Sequence, residues 1–194
     1  MKPRFPYVAT VIVMLAVTAM IGLGVWQLCY RLPWKEGLIA RYEAAQAMSG
    51  EVGWPRQPDA IPGALYRRSR LSCLKVQDAG AQAGRNAKGT AGWAHLTSCT
   101  LPNGGSARIV LGWSSDPAPR AWPGGVVTGT IASSHAGEAH LIADPPLEGL
   151  QANARPDPRD LPNNHFSYAI QWFLFAATAV VIYTIALWKR LNDQ

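Results

Sequence analysis

His165 stands at the start of an apolar segment, and its type and position suggest chemistry more directly than any other residue in the chain. The segment from Phe166 to Trp188 contains no Asp, Glu, Lys or Arg. Because a helix needs roughly 20 apolar residues to cross the hydrocarbon core of a bilayer, this segment is long enough to span one. His165 is therefore expected near a membrane interface, where ionisable groups are costly to desolvate and commonly face protein or a ligand.

Two aromatic residues follow His165 at helical spacing. Tyr168 and Trp172 lie three and seven positions further on, so one helix face would carry an imidazole, a phenol and an indole. The opposite wall is expected from the last turns of the first apolar segment. Those turns hold the polar and aromatic residues Trp26, Gln27, Tyr30 and Arg31.

This set of side chains suits an apolar planar ligand with anionic edges, and haem has that shape. Aromatic rings can stack on its plane, the His165 imidazole can ligate its iron as an axial ligand, and Arg31 or Lys35 can pair with carboxylates at the membrane surface. The alternative is that His165 is an ordinary interfacial residue and that the aromatic residues form an anchoring belt. The spacing alone leaves both interpretations open.

A first apolar segment near the N-terminus resembles the second in length. No charged side chain occurs between Arg4 and Arg31, so residues 5–28 are predicted to form transmembrane helix 1 and residues 163–188 transmembrane helix 2. Basic residues in the tails 1–4 and 189–194 favour a cytoplasmic location for both termini, so a multi-pass membrane protein is expected. A cleaved signal peptide is the alternative for the first segment.

The soluble part between these segments is predicted to be periplasmic and rich in β-structure. Residues 29–50 have the helical spacing of a juxtamembrane amphipathic helix, and residues 51–162 form the β-rich domain, ending in a Pro-rich return tether over Asp144–Pro162. A hairpin turn is expected at Pro102-Asn103-Gly104-Gly105, and a mobile loop is expected over Asp78–Thr90. The predicted strands are Leu65–Leu74, Gly92–Thr100, Ala107–Trp113, Val126–Ser133 and His140–Ala143.

The predicted fold class is thus an α+β membrane protein in which two transmembrane helices flank a small antiparallel β-sheet or barrel-like soluble domain. Cys73 and Cys99 lie in this domain and are a candidate disulfide in an oxidising compartment. The three cysteines form no Cys-x-x-Cys pattern, so a thioredoxin-like redox site lacks its signature.

Other chemistries find weak support in the sequence. Gly112-Trp113-Ser114-Ser115-Asp116 does not match the Gly-x-Ser-x-Gly elbow of a hydrolase. The group His135, Glu138 and His140 does not have the His-Glu-x-x-His spacing of a zinc helix, which favours a surface loop, and His95 is interpreted as a strand residue. The net charge of +6 comes without a nucleic-acid-binding motif, so no nucleic-acid partner is expected. No catalytic constellation is identified, and the chain is predicted not to be an enzyme.

Motifs at the ends of both apolar segments resemble the Surfeit locus protein 1 family. They are Gly24-x-Trp26-Gln27 followed by Arg31 and Trp34-Lys35, and Asn163-Asn164-His165-x-x-Tyr168-Ala169-x-x-Trp172-Phe173. The resemblance implies two spans that enclose a soluble domain, and it covers essentially the whole chain. It also carries the family's second-span histidine, tyrosine and tryptophan onto His165, Tyr168 and Trp172, and its first-span Trp-Gln pair onto Trp26 and Gln27.

What the resemblance implies about function is assembly of haem-copper cytochrome c oxidase. The expected cargo is haem a, transiently bound, and the expected partner is the catalytic subunit of the oxidase, with haem a synthase as a further candidate. The alternative is a structural membrane protein or accessory subunit that grips oxidase subunits without binding haem. An anchored maturation enzyme is a third reading, which lacks a nucleophile constellation or thiol pair.

Two departures from the family pattern affect individual residues. The stretch between Trp26 and Trp34 is one residue longer than expected, which rotates Arg31 relative to the Trp-Gln pair. The stretch Leu111-Gly112-Trp113-Ser114-Ser115 lacks the arginine and proline of the family's Arg-Gly-Trp-x-Pro motif. A role that depends on that arginine is therefore not transferred.

Overall fold

The computed structural model describes residues 5–102, 104–134 and 137–192, and it divides into two compact units. The sheet unit comprises Ala40–Leu161, and the helical unit comprises the residues before and after it. Among the predicted segments, the tail 1–4 and the last two residues of the tail 189–194 lie outside the described residues, as does His135.

The helical unit consists of two long helices and a short irregular turn. Helix α1 spans Tyr7–Trp26, a π-helical turn covers Gln27–Arg31, and the chain continues directly into α2, Leu32–Ala47. Helix α4 spans His165–Asn192 near the C-terminus. Both α1 and α4 belong to helices long and apolar enough to cross a membrane, and most of their apolar side chains are exposed. That exposure is expected of lipid-facing helices, in line with the predicted spans 5–28 and 163–188.

Small residues let α1 and α4 approach each other closely. Gly24 of α1 and Ala169 and Ala176 of α4 are buried. A Cβ atom added at Gly24 would lie 2.8 Å from the ring of Phe173, so a larger residue at this position would force that ring to move. At the other end of the pair, the hydroxyls of Thr10 and Tyr183 form a hydrogen bond. The start of α1 therefore lies beside the end of α4, and the two helices are antiparallel. Small residues at such contacts are typical of helix pairs in membranes.

The sheet unit is built on one seven-stranded sheet with the strand order β1-β2-β6-β7-β5-β4-β3. A short helix α3, Ile61–Ala64, precedes β2, and single 3₁₀ turns occupy Pro58–Ala60 and Pro158–Asp160. The strands are β1 Glu51–Val52, β2 Arg68–Cys73, β3 Lys75–Arg85, β4 Ala91–Thr100, β5 Ser106–Ser114, β6 Gly125–Ser133 and β7 Ala139–Ala143.

All five predicted strands are present, and the β4–β5 hairpin is confirmed. The α+β class is confirmed, but the sheet is mixed, whereas a small antiparallel sheet or barrel-like domain was predicted. Strand β7 pairs antiparallel with β6 but parallel with β5, and β1 pairs parallel with β2. After β5 the chain crosses over to β6, leaving a gap one strand wide between these two strands. Strand β7 then folds back from β6 into this gap, where it runs parallel to β5.

The core of the sheet unit lies on one face of the central strands. Ile109 and Leu111 of β5, Ile131 of β6 and Leu141 of β7 are completely buried there. Ile109 and Leu111 lie two positions apart on β5, as expected when alternate side chains of a strand face the core. These strands could be predicted because they are short apolar runs bounded by turn residues. Tyr42 from α2 also packs against this core, with its ring 5.1 Å from that of Tyr66.

The predicted mobile loop Asp78–Thr90 is wrong, because most of it belongs to the edge strand β3. The Ala and Gly residues of this strand have low strand propensity, but pairing with β4 along most of its length outweighs it. A bulge between Gln77 and Gly80 shifts the register, and Asp78 has a φ of 49° there. The loop that remains is the turn at Asn86, whose Oδ1 accepts hydrogen bonds from the Lys88 and Thr90 backbone.

The Pro-rich segment Asp144–Pro162 is not a free tether as predicted. Its residues up to Leu161 belong to the sheet unit, where Leu147 and Leu150 pack against the core. Two isolated bridges, Trp113 with Gln151 and Asn86 with Asn153, attach the segment to the sheet. Proline limits regular strand pairing, yet the residues between the prolines still supply backbone groups and apolar side chains.

Cys73 of β2 and Cys99 of β4 form a disulfide, with their Cα atoms 5.5 Å apart. Both cysteines are buried in the core of the sheet unit. The bond links strands separated by 26 residues in the chain, so it constrains a loop of that length in the unfolded state.

Removing this bond is expected to destabilise the sheet unit. The double variant Cys73→Ala with Cys99→Ala should lower the free energy of unfolding by about 3 kcal/mol, on the loop-entropy relation. Chemical denaturation of the full chain in mild detergent, followed by tryptophan fluorescence, measures the change. The control is Cys29→Ala, because Cys29 is free and exposed. An unfolding midpoint equal to that of wild type would contradict the prediction.

Candidate functional site

The imidazole of His165 contacts Gln27 across the α1–α4 pair. Nδ1 of His165 lies 2.7 Å from Oε1 of Gln27, and the two residues are 138 positions apart in the chain. His165 is the first residue of α4 and Gln27 the first residue of the π turn, so the contact joins the start of one helix to the end of the other. Both side chains are partly buried.

The partner atom determines which nitrogen of His165 is available for chemistry. Oε1 is a carbonyl oxygen and can only accept, so Nδ1–H is the donor in this hydrogen bond. In the neutral imidazole, a proton on Nδ1 leaves a lone pair on Nε2. Metal-ligating histidines commonly have this arrangement, in which the second ring nitrogen donates to a nearby acceptor. In this state, Nε2 is the ring nitrogen of His165 whose lone pair is available to ligate a metal.

The chain forms a π turn at Gln27–Arg31, between Trp26 and Trp34. This is the stretch that is one residue longer than the expected family pattern. The backbone N–H of Leu32 bonds to the Gln27 carbonyl, five residues back rather than the four of an α-helix, so the turn accommodates one additional residue. Gln27, Leu28 and Arg31 are partly buried, whereas Cys29 and Tyr30 are exposed. Single π turns of this kind are frequent at functional sites.

Arg31 is held between two indole rings. Its guanidinium carbon lies 5.6 Å from the ring centroid of Trp26 and 5.0 Å from that of Trp34. A guanidinium stacked on aromatic faces loses little freedom and keeps its N–H groups at the edge free to bind an anion. The expected rotation of Arg31 therefore leaves it with a defined position beside Trp26.

Tyr168 and Trp172 lie on α4 near His165, but the centre of the face that meets α1 is Ala169, which is fully buried. Tyr168 is 48% exposed. Trp172 is partly buried, and its ring packs edge-on against Phe175 at a centroid distance of 6.1 Å. The two aromatic side chains thus border the helix contact, and a part for them in binding stays a prediction.

A serine and a histidine lie together in the sheet unit, but their hydrogen bonds do not form a nucleophilic pair. Ser114 Oγ donates to the Asp116 carbonyl at 2.8 Å, so the 2.8 Å contact with His95 Nε2 is donated by the histidine. The Ser114 proton is therefore directed away from the imidazole. His95 is a fully buried residue of β4, and burial, followed by the nearby charge of Arg120, lowers its pKa. The interpretation of His95 as a strand residue is confirmed.

The basic residues at β2 are engaged with acidic neighbours. Arg68 pairs with Asp144 at 3.3 Å beside a cavity of about 390 Å³, and Arg155 approaches the same carboxylate at 3.9 Å. Arg70 pairs with Glu51 at 3.2 Å. These pairs are exposed, which makes them weak contributors to stability. Within the residues that the structure describes, no group of three or more His, Cys, Asp or Glu side chains could hold a metal ion.

The fold and the site together define a class: a β-sheet domain between two long apolar helices, with a polar site where those helices meet. Residues 14–177 match the model of the SURF1 family. This match covers most of the chain, and the protein belongs to the SURF1 family. The family is known for cytochrome oxidase assembly and is a family of assembly factors rather than catalysts. No curated protein sequence matches the chain.

Sequence reasoning selected Gln27 and His165 but not the bond between them. It also did not anticipate the stacking of Arg31 or the role of Gly24 in the helix contact. Small residues such as Gly24 and Ala169 favour close helix contacts in membranes, but both apolar segments contain several other Gly or Ala residues, so the sequence does not single these two out. Which polar residue of α1 or the π turn reaches His165 depends on how the two helices are rotated about their axes. That rotation is set by their packing and cannot be inferred from the local sequence.

The helix contact can be tested by enlarging Gly24. In Gly24→Val the new side chain would collide with the Phe173 ring, and overpacking of this kind typically costs about 1–3 kcal/mol. We expect a lower thermal unfolding temperature in mild detergent. Gly22→Val is the matched control, because no atom lies within 4 Å of a Cβ there. Equal melting of the two variants would contradict the packing described for α1 and α4.

Proposed function

We propose that this protein assists assembly of haem-copper cytochrome c oxidase by binding haem a through His165 and delivering it to the catalytic subunit. The observation that carries the proposal is the hydrogen bond between His165 Nδ1 and Gln27 Oε1. It leaves Nε2 as the free donor nitrogen, and a neutral imidazole nitrogen is a common axial ligand of haem iron.

The surrounding residues fit the other parts of a haem. Haem a presents an apolar plane and a carboxylate edge. Arg31, stacked between Trp26 and Trp34, offers guanidinium N–H groups that form bidentate bonds with carboxylates. Trp26 is 45% exposed and Trp172 is partly buried, so aromatic surface is available beside the helix pair. These features support a planar anionic ligand better than a small polar substrate.

A carrier must release its cargo, and the site is suited to that. His165 supplies one donor nitrogen, Nε2, to the proposed site. A ligand bound from one side is transferred when the acceptor binds it more strongly. The catalytic subunit of the oxidase is the proposed acceptor, and haem a synthase is the proposed source.

The proposed location is the bacterial inner membrane, with α1 and α4 as spans and the sheet unit in the periplasm. The disulfide between Cys73 and Cys99 supports this side, because such bonds persist in oxidising compartments. With both termini cytoplasmic, the start of α4 and the end of α1 lie towards the periplasmic interface. Haem would then be bound at the outer side of the membrane.

Replacing His165 tests ligation directly. His165→Ala, purified from a host that produces haem a, is expected to carry at most a tenth of the haem of wild type, because the axial ligand is lost. Absorption spectroscopy of the detergent-purified protein measures the haem content. The matched control is His140→Gln, since His140 is a partly buried histidine of β7 in the sheet unit.

Equal haem content and unchanged spectra in His165→Ala would contradict ligation by His165. Haem-free wild-type protein that still co-purifies with oxidase subunits would instead favour a structural assembly protein without cargo.

A further inference from the structure

The contact between Gln27 and His165 points to a role for the glutamine that is separate from binding the cargo itself. We propose that Gln27 is a positioning residue: it fixes the Nδ1–H tautomer and the ring orientation of His165, and so presents Nε2 as the donor atom. This inference rests on the proposed function of His165 but concerns a different residue and a property of the unloaded protein.

The first step concerns the tautomer. A neutral imidazole can carry its proton on either nitrogen, and the hydrogen bond made by one nitrogen decides which is protonated. Gln27 Oε1 lies 2.7 Å from Nδ1 and is the acceptor in this contact. Without that acceptor, the protonated nitrogen is no longer determined, and part of the population would carry the proton on Nε2. Such molecules cannot ligate through Nε2 until the proton moves.

The second step concerns how Gln27 is kept in reach. Gly24 lies three residues earlier on α1, and its missing side chain allows the Phe173 ring to approach the helix backbone. Gln27 then begins the π turn, with its own carbonyl bonded to the Leu32 N–H. The backbone of Gln27 is therefore helical and lies beside α4, which keeps the side chain within hydrogen-bond reach of His165.

The third step concerns the choice of an amide. A carboxylate acceptor would increase the basicity of the imidazole and strengthen its bond to a metal, as carboxylate partners do in many metal sites. A neutral carboxamide orients the ring without adding that charge. The glutamine thus suits a site that holds its cargo in a defined geometry and releases it to another protein.

The experiment compares Gln27→Leu, Gln27→Glu and the control Gln171→Leu, which removes an exposed glutamine of α4. The first readout uses the unloaded protein in detergent with ¹⁵N-labelled histidine. Its ring ¹⁵N chemical shifts, assigned to His165 by their loss in His165→Ala, report the tautomer. We expect the Nδ1–H form in wild type, Gln27→Glu and Gln171→Leu, and a mixture of both forms in Gln27→Leu.

The second readout is titration of the same proteins with ferric iron protoporphyrin IX. Loss of the hydrogen bond that orients a metal-ligating side chain typically weakens metal binding about 10–100-fold. We expect this weaker haem binding in Gln27→Leu only. In Gln27→Glu the affinity should be retained or increased, and the reduction potential of the bound haem should fall.

An unchanged tautomer in Gln27→Leu would overturn the proposal, as would wild-type haem affinity in a variant whose tautomer has changed. If Gln27→Leu does not fold, an unchanged reduction potential of the bound haem in Gln27→Glu would overturn it. Failure of the proposed function has a different signature: haem binding would then be insensitive to His165→Ala, while the tautomer measurement on the unloaded protein would still report on Gln27.

Discussion

The hydrogen bond from His165 to Gln27 is the interaction on which the chemistry of the helical unit depends. It joins residues from opposite ends of the chain at a distance of 2.7 Å, and it decides which imidazole nitrogen is free. Its formation requires α1 and α4 to approach closely, which Gly24 and Ala169 permit because they carry little or no side chain. In an apolar surrounding, an unpaired polar side chain would be costly, so the bond also stabilises the helix pair.

The sheet unit is held together by different forces. Its core is formed by apolar residues of the central strands, and the Cys73–Cys99 disulfide ties β2 to β4 within that core. The contact between Ser114 and His95 is oriented by the Asp116 carbonyl, which directs the serine proton away from the imidazole. The sheet unit is thus stabilised by an apolar core and a disulfide, whereas the proposed ligand nitrogen belongs to the helical unit.

Some elements of this fold could be predicted from the local sequence, whereas others depend on contacts between distant residues. The central strands are short runs rich in apolar residues and bounded by turn residues, and the two apolar segments are long and uncharged, so both could be recognised locally. Strand β3 could not, because its Ala and Gly residues carry no alternation and its pairing with β4 supplies the stability. The place of β7 beside β5 also depends on a crossover, which no local pattern encodes. For the site, His165 and Gln27 were predicted as members of one set, but their bond depends on the helix approach at Gly24 and on the π turn that follows it.

The most direct test of this account is pulsed electron paramagnetic resonance of the full chain loaded with ferric haem a and labelled with ¹⁵N-histidine. The account predicts hyperfine coupling from one histidine nitrogen bound to the iron, present in wild type and absent in His165→Ala. Coupling from two histidines, or coupling that persists in His165→Ala, would contradict one-sided ligation through Nε2 of His165.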